Sequence, residues 1–262
     1  MTSLELEKML YDCQIGMYLN DIKLLENGML VYSNFVEDSS WNFLTGYQLQ
    51  TIEEFKKFYD KALTEFKNIN RQPCFAYAPS VKLSDEVLEY IKTNFSEYER
   101  NTVLLCSGFE KKFNLSEEFS FKQIDNIKDK DLFIKTFIYS KTHTLKNDTY
   151  KKLPEYYFKA LESSFNHNGE WKFIHFLSMY KNEPIGMLSC CVKGKYAGLY
   201  GGGTFSEYRN KGVFTNLLNY VSNTLKKQGV KYFFGYTKKF SNNEKYYNKL
   251  GWKEKFEFAL YK

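Results

Sequence analysis

The residues with the clearest chemical potential lie in one short run, GGGTFSEYRNKGVFTNLL, at 201–218. Arg209 is one of only three arginines in the chain, and Lys211 and Gly212 follow it closely. A helical pattern of apolar residues then begins at Val213. Because the first N–H groups of a helix have no partners within it, a helix start beside positive charge binds anions. A glycine there lets phosphate approach the backbone. The run therefore predicts a pyrophosphate site.

Two familiar phosphate-binding patterns are absent from this run. It lacks both the Walker order GxxxxGK[ST] and the GxGxxG of dinucleotide-binding folds. The alternative interpretation is a charged turn in which Gly212 only begins a helix. The three glycines at 201–203 are also open to two interpretations, because a strand accepts glycine at a bulge or where a ligand approaches closely.

The elements that must position this run follow from the spacing of apolar residues. The predicted order over 118–262 is strand 118–124, helices 131–140 and 156–165, a hairpin of 171–180 and 185–192, strand 196–205, helix 213–228, strand 230–237, helix 242–250 and strand 253–262. This order predicts a mixed α/β domain, with the candidate phosphate site between the strand that ends at Phe205 and the helix that follows.

The segment RNKGVF at 209–214 resembles the pyrophosphate loop of the GNAT superfamily, whose members transfer acyl groups from acetyl-CoA to amines. The family pattern is [RQ]-x-x-G-x-[GA]. Arg209 and Gly212 match it, whereas Phe214 stands where the family usually has a small residue. We expect Phe214 to point into the core and only its amide to face phosphate.

A second resemblance lies in YYNKLGW at 246–252. The family places a tyrosine four residues before a glycine and then an aromatic residue, and Tyr247, Gly251 and Trp252 fit those positions. The resemblance covers 118–262 as a complete domain. It implies a mixed α/β GNAT-like acyl-CoA N-acyltransferase fold.

The resemblance also implies roles for individual residues. Acetyl-CoA would be the co-substrate, with no metal. Tyr247 would donate a proton to the leaving thiolate. Asn242 or Asn243 would bond the pantetheine arm. The other implied cofactor contacts are the strand end Gly203, Thr204 and Phe205 for the pantetheine, and Arg209, Asn210, Lys211, Gly212, Val213, Phe214 and Thr215 for the pyrophosphate.

Some catalytic assignments stay open at the level of sequence. Tyr246 competes with Tyr247 for the acid role, in a chain with 22 tyrosines. His143 and His175 are candidate bases because an unperturbed histidine titrates near neutrality, but His175 lies in a predicted strand and fits an ordinary half-buried position equally well. We assign no base.

The first half repeats part of the same pattern. The segment 5–25 predicts a helix, and a strand from 28 begins an order of strand, helix 51–67, strand 73–78 and helix 84–95 that parallels 196–252. We infer a degenerate GNAT-like copy, with an unrelated α/β cap as the alternative. The predicted domains are 1–115 and 116–262.

Composition excludes several classes of protein. The net charge of +6 is spread as lysines, without the dense basic stripe of a nucleic-acid binder. No run of about 18 apolar residues predicts a membrane span. The five cysteines are odd in number and scattered, which indicates reduced thiols and no metal site. With no secretory signal, these features predict a cytoplasmic protein.

The functional expectation is an acetyl-CoA-dependent N-acetyltransferase acting on a small-molecule amine or an amino-terminal group. A longer-chain acyl or aminoacyl transferase on the same scaffold is the alternative enzyme. A non-catalytic CoA-binding or interaction module is the alternative outside catalysis. The acceptor and the oligomeric state are not predicted.

Overall fold

A computed structural model describes residues 1–124, 128–142 and 155–262. The first half contains α1 (Ser3–Asp12), β1 (Asp21–Leu25), β2 (Gly28–Tyr32), β3 (Phe43–Thr45), β4 (Gln48–Leu49), α2 (Ile52–Asn68), β5 (Phe75–Tyr77), β6 (Lys82–Leu83), α3 (Asp85–Asn94) and β7 (Glu97–Cys106). The second half contains β8 (Phe119–Gln123), α4 (Lys128–Thr142), α5 (Tyr156–Asn166), β9 (Lys172–Tyr180), β10 (Glu183–Lys193), β11 (Tyr196–Thr204), α6 (Val213–Lys227), β12 (Tyr232–Lys238), α7 (Asn242–Lys249) and β13 (Lys253–Tyr261).

The predicted element order over 118–262 is confirmed, and the predicted helix over 5–25 is wrong. That helix ends at Asp12, Gly16 adopts a left-handed φ of 91°, and Asp21–Leu25 is a strand paired with β2. Cross-strand pairing satisfies the backbone groups of this segment and overrides its weak helical pattern. Among the described helices, none is both long and apolar enough to cross a bilayer.

The chain forms two compact units. The first unit comprises Met1–Leu104, Tyr236–Tyr247 and Glu254–Lys262, and the second comprises Leu105–Gly235 and Asn248–Lys253. The division into domains at 115/116 stays a prediction, because groups of contacting residues do not test which parts fold independently.

The first unit has a sheet in which β1, β2 and β3 are antiparallel neighbours and β3 is parallel to β5. The last strand, β13, pairs antiparallel with β5. Helix α2 begins with the predicted capping box of Thr51 and Glu54. Its apolar face contributes to a core that also contains residues of α3, β5 and β13. The core residues from α2 are Phe55, Phe58, Ala62 and Phe66.

The second unit has antiparallel strands β8, β9, β10 and β11, followed by β12 parallel to β11. Two consecutive residues of β9 show which helices cover its faces. His175 lies 4.7 Å from Phe133 of α4, and Phe176 lies 6.2 Å from Tyr220 of α6, measured between ring centres. Because successive side chains of a strand point to opposite faces, α4 and α6 cover opposite faces of this sheet.

Both units contain the same local arrangement of strands. In the first, β2 is antiparallel to β3, which is joined through α2 to the parallel strand β5. In the second, β10 is antiparallel to β11, which is joined through α6 to the parallel strand β12. This repetition is consistent with the predicted GNAT-like copy in the first half.

Candidate functional site

The glycine run at the end of β11 contains a β-bulge. Met187 pairs with Gly203 and Ser189 pairs with Tyr200, so Gly201 and Gly202 together oppose Leu188. Gly201 has a φ of 65°, in the left-handed region that glycine adopts without strain. The bulge therefore accounts for Gly201, as one of the two interpretations of the sequence predicted.

The next two glycines make room for side chains of the two covering helices. A Cβ on Gly202 would lie 2.7 Å from Cζ of Phe214 on α6. A Cβ on Gly203 would lie 2.6 Å from Oγ of Ser140 on α4. Phe214 is half-buried against the strand, in general agreement with its expected inward direction. Packing within this chain thus explains why Gly202 and Gly203 lack side chains.

Strand β11 continues beyond the residues that pair with β12. The parallel register joins Tyr196 to Tyr232 and Gly198 to Phe234 and ends there, although β11 continues to Thr204. On its other side, Phe205 N–H still donates to the Ile185 carbonyl of β10 at 2.8 Å. Because backbone groups alternate between the two edges of a strand, those of Thr204 point away from β10. The end of β11 thus has an outer edge beyond the parallel ladder.

Two basic side chains bond to carbonyl groups of this strand end. Arg209 Nε donates to the Thr204 carbonyl at 2.9 Å, and its Nη2 donates to the Ser140 carbonyl at 3.1 Å. Lys141 Nζ donates to the Gly202 carbonyl at 3.0 Å. Arg209, predicted only to add charge beside a phosphate, also ties β11 to the end of α4.

Helix α6 begins without a side-chain cap. Its N-cap residue is Gly212, with φ 81° and ψ 0°, and Asn210 two residues earlier also has a left-handed φ of 60°. Lys211 extends over the Tyr208 ring, 5.6 Å from its centre. By contrast, α2 in the first unit is capped by Thr51 and by the carboxylate of Glu54. The start of α6 suits an external anion, whereas a carboxylate already occupies the start of α2.

A buried polar atom lies at the same strand end. Thr204 is 7% exposed, and its Oγ1 has no hydrogen-bond partner among the described residues. A buried hydroxyl without a partner is costly, which is typical of positions that bond to a ligand or water. Thr204 is one of the residues that the resemblance assigns to the pantetheine arm.

Sequence reasoning missed the contact of residues 108–113 with α6. The ring of Phe113 lies against Gly212, where an added Cβ would be 2.5 Å from Phe113 Cγ. Asn216 exchanges two hydrogen bonds with the backbone of Phe113, each 2.8 Å long. The recurrence of Asn216, Asn219 and Ser222 at three-residue spacing was the available signal, since it marks a polar stripe on one side of the helix.

The remaining candidates belong to α7 in the first unit. Asn242 is its exposed first residue. Tyr247 is half-buried, with its ring 5.3 Å from that of Tyr246. Desolvation, and to a lesser extent Tyr246, raises the pKa of Tyr247 well above its ordinary value. The contacts that the resemblance assigns to Gly203 through Thr215 all fall in the second unit.

His175 is a core residue. It is 3% exposed, it bonds to Ser164 and Ser189 through its two ring nitrogens, and it stacks on Phe165. Burial lowers the pKa of His175 to about 3. The sequence allowed His175 to be either a catalytic base or an ordinary residue of a strand, and its position fits the second interpretation. His143, the other candidate base, lies outside the described residues.

Comparison with known proteins identifies the class. Residues 138–252, which include β11, the loop and α6, match the model of the Acetyltransferase (GNAT) family. The fold is that of the acyl-CoA N-acyltransferases, and the family match covers less than half of the chain. No curated protein sequence matches the chain significantly.

Solved structures share this fold at low sequence identity. A conserved protein of unknown function from Staphylococcus epidermidis has a TM-score of 0.67 and 12% identity, with 93% of each chain covered. A GCN5-related N-acetyltransferase from Kribbella flavida has a TM-score of 0.61 and 9% identity, covering 96% of this chain and 93% of its own. A tandem GNAT protein from the clavulanic acid pathway has a TM-score of 0.55 and 10% identity, covering 90% and 78%. The last supports the two-half architecture.

Proposed function

We propose that this protein is an N-acetyltransferase that moves an acetyl group from acetyl-CoA directly to an amine of a small molecule or to an amino-terminal group. The observation that carries the proposal is the start of α6 at Gly212, a residue with no side chain to cap the helix, next in sequence to a strand whose outer edge extends beyond its parallel ladder. This pair of features lies within the segment that matches the GNAT family.

The start of α6 fits a pyrophosphate. The backbone from Asn210 to Thr215 supplies N–H groups at the positive end of the helix dipole, and Lys211 adds charge nearby. The corresponding helix of the first half, α2, has Glu53 and Glu54 in its first turn, which would repel phosphate. The chain therefore offers a phosphate site in its second half and not at α2.

The outer edge of β11 fits the pantetheine arm, which carries amide donors and acceptors. Thr204 directs its backbone groups to this edge, and its buried Oγ1 lacks a partner among the described residues. Arg209 and Lys141 already bond to the carbonyls of Thr204 and Gly202. Because a carbonyl oxygen has two lone pairs, each can accept a second hydrogen bond from the arm.

Acetyl-CoA supplies the thioester carbonyl that an amine can attack. The departing sulfur then needs a proton, and we assign its donation to Tyr247. A tyrosine phenol is protonated at neutral pH, as an acid requires before it acts. We assign no metal to the reaction. No cluster of three or more His, Cys, Asp or Glu side chains among the described residues could hold a metal ion.

We also propose a cytoplasmic location and no role in nucleic-acid or membrane binding. All five cysteines are free and buried, which agrees with a reducing compartment. The alternative enzyme, a longer-chain acyl or aminoacyl transferase, would share the same pyrophosphate and pantetheine contacts and differ in the acyl donor.

Calorimetric titration with acetyl-CoA and CoA tests the proposal first. The wild-type protein should bind both, and Gly212→Ala should bind neither well because its φ of 81° disfavours a side chain and Phe113 fills the space. Gly194→Ala is the matched control, since Gly194 also has a positive φ but open space around it. If wild type binds neither compound, the proposal fails.

An amine-library assay with acetyl-CoA and longer acyl-CoA donors then separates the remaining candidates. Transfer from acetyl-CoA supports the proposed enzyme. Faster transfer of longer acyl groups supports the alternative, and CoA binding with no transfer to any amine supports a non-catalytic module.

A further inference from the structure

Residues 108–113 lie along α6 and run toward its first turn. Phe109 N–H donates to Ser222 Oγ at 3.2 Å, and the Phe109 carbonyl accepts from Asn219 Nδ2 at 2.9 Å. Together with the two bonds between Phe113 and Asn216, these contacts hold the backbone at both ends of the segment. The segment precedes residues 138–252 in the chain and is therefore not part of the family match.

Phe113 is an exposed aromatic residue beside the candidate phosphate site. Its side chain contacts Gly212, yet the residue is 45% exposed, a large fraction for an apolar side chain in an anchored segment. Lys111 Nζ lies 5.4 Å from the centre of the Phe113 ring. The segment thus presents an aromatic surface with a positive charge over its ring.

The helical geometry shows on which side of α6 this surface lies. Phe214 faces β11, because its ring contacts Gly202. At about 100° per residue, Asn216 points roughly 200° away from Phe214. Phe113, which is bonded to Asn216, therefore lies on the side of the first turn away from β11.

The covalent order of CoA is pantetheine, pyrophosphate and then adenosine 3′-phosphate. If the pantetheine lies along β11 and the pyrophosphate lies at Gly212, as proposed above, a continuation across the first turn of α6 brings the adenosine to Phe113. We propose that Phe113 stacks on the adenine base and that Lys111 pairs with the 3′-phosphate. Stacking between a base and an aromatic side chain is a substantial and sequence-tolerant contact. This inference rests on the proposed function and adds a nucleotide subsite from outside the matched domain.

Binding of three compounds tests the inference: CoA, dephospho-CoA, which lacks the 3′-phosphate, and 4′-phosphopantetheine, which lacks the nucleoside. We expect Phe113→Ala to weaken CoA and dephospho-CoA about tenfold and to leave 4′-phosphopantetheine unchanged. Phe113→Tyr should retain wild-type affinity for all three. Because Asn216 holds the backbone of this segment, the substitutions should leave the fold intact, which thermal unfolding will check.

The proposed pairing of Lys111 with the 3′-phosphate is tested by a matched pair of variants. Lys111→Met should weaken CoA severalfold and leave dephospho-CoA unchanged, whereas Lys112→Met removes the same charge one position away and should leave both unchanged. Unchanged CoA binding by Phe113→Ala overturns the inference, as does an equal loss for 4′-phosphopantetheine. Tighter binding would overturn it too, by showing that the ring obstructs the site. If wild type binds none of the three compounds, the proposed function itself fails.

Discussion

The ring of Phe214 occupies the space that a side chain on Gly202 would need. A Cβ at Gly202 would lie 2.7 Å from Cζ and 2.9 Å from Cε2 of that ring. The absence of a side chain at Gly202 thus leaves room for the large Phe214 residue at the start of α6.

The contact between Gly202 and Phe214 predicts an energetic coupling between these two positions. Gly202→Ala should destabilise the protein by about 1–3 kcal/mol, because the new methyl group collides with the Phe214 ring. The same substitution should cost much less in a Phe214→Ala background. Urea denaturation of the single and double variants measures the coupling.

Gly203→Ala is the control for that experiment. Its methyl group would meet Ser140 Oγ at 2.6 Å on the opposite face, so Phe214→Ala should not relieve its cost. Equal relief for both glycine variants would contradict the assignment of Gly202 to Phe214.

Arg209 is expected to act through position as well as charge. Arg209→Met removes the bonds to the Thr204 and Ser140 carbonyls, and it should lower stability by about 1–2 kcal/mol and weaken CoA binding. Arg209→Lys keeps the charge but cannot reproduce a planar group that bonds two carbonyls. If the position matters, the lysine variant should lose nearly as much CoA affinity as the methionine variant. Full CoA affinity in the lysine variant would show that Arg209 contributes to CoA binding only through its charge.

Tyr247 is expected to affect turnover more than binding. Tyr247→Phe should lower kcat about 100-fold, with little change in the binding of acetyl-CoA, because only proton transfer to the leaving thiolate is lost. Since the pKa of Tyr247 is raised, activity should not fall through its ionisation as the pH rises toward 10. Tyr246→Phe is the matched control, and retained turnover in Tyr247→Phe would remove the acid assignment.

The buried His175 predicts a loss of stability in acid. Its pKa is lowered from 6.5 to about 3 in the folded protein, so the unfolded chain takes up a proton that the folded chain does not. Its contribution to stability is complete above pH 6.5 and is lost as the pH falls from 6.5 toward 3. The slope should approach about 1.4 kcal/mol per pH unit in that window.

Urea denaturation between pH 7.5 and 4 measures this slope. His175→Gln should reduce it, and His167→Gln, which changes a histidine outside the buried network, should retain it. A wild-type slope equal to that of His175→Gln would show that this histidine does not contribute.

Local patterns were sufficient for much of the site. The spacing of apolar residues predicted β11 and α6, and RNKGVF predicted the turn in which Gly212 precedes the helix. The capping box of Thr51 and Glu54 was also predictable, because both partners lie within one helical turn. Such features depend on residues a few positions apart in the chain, so they can be predicted from the amino-acid sequence.

The contacts between distant parts of the chain required the folded structure. Gly202 and Phe214, Gly203 and Ser140, and Gly212 and Phe113 meet because helices pack on a sheet and a segment crosses a helix end. The apolar spacing over 5–25 likewise predicted a helix, but part of this segment forms strand β1, which pairs with β2. The amino-acid sequence therefore predicted the elements around the loop, including β11 and α6, whereas tertiary packing decided which side chains fill the spaces around it, since those spaces exist only after the elements have come together.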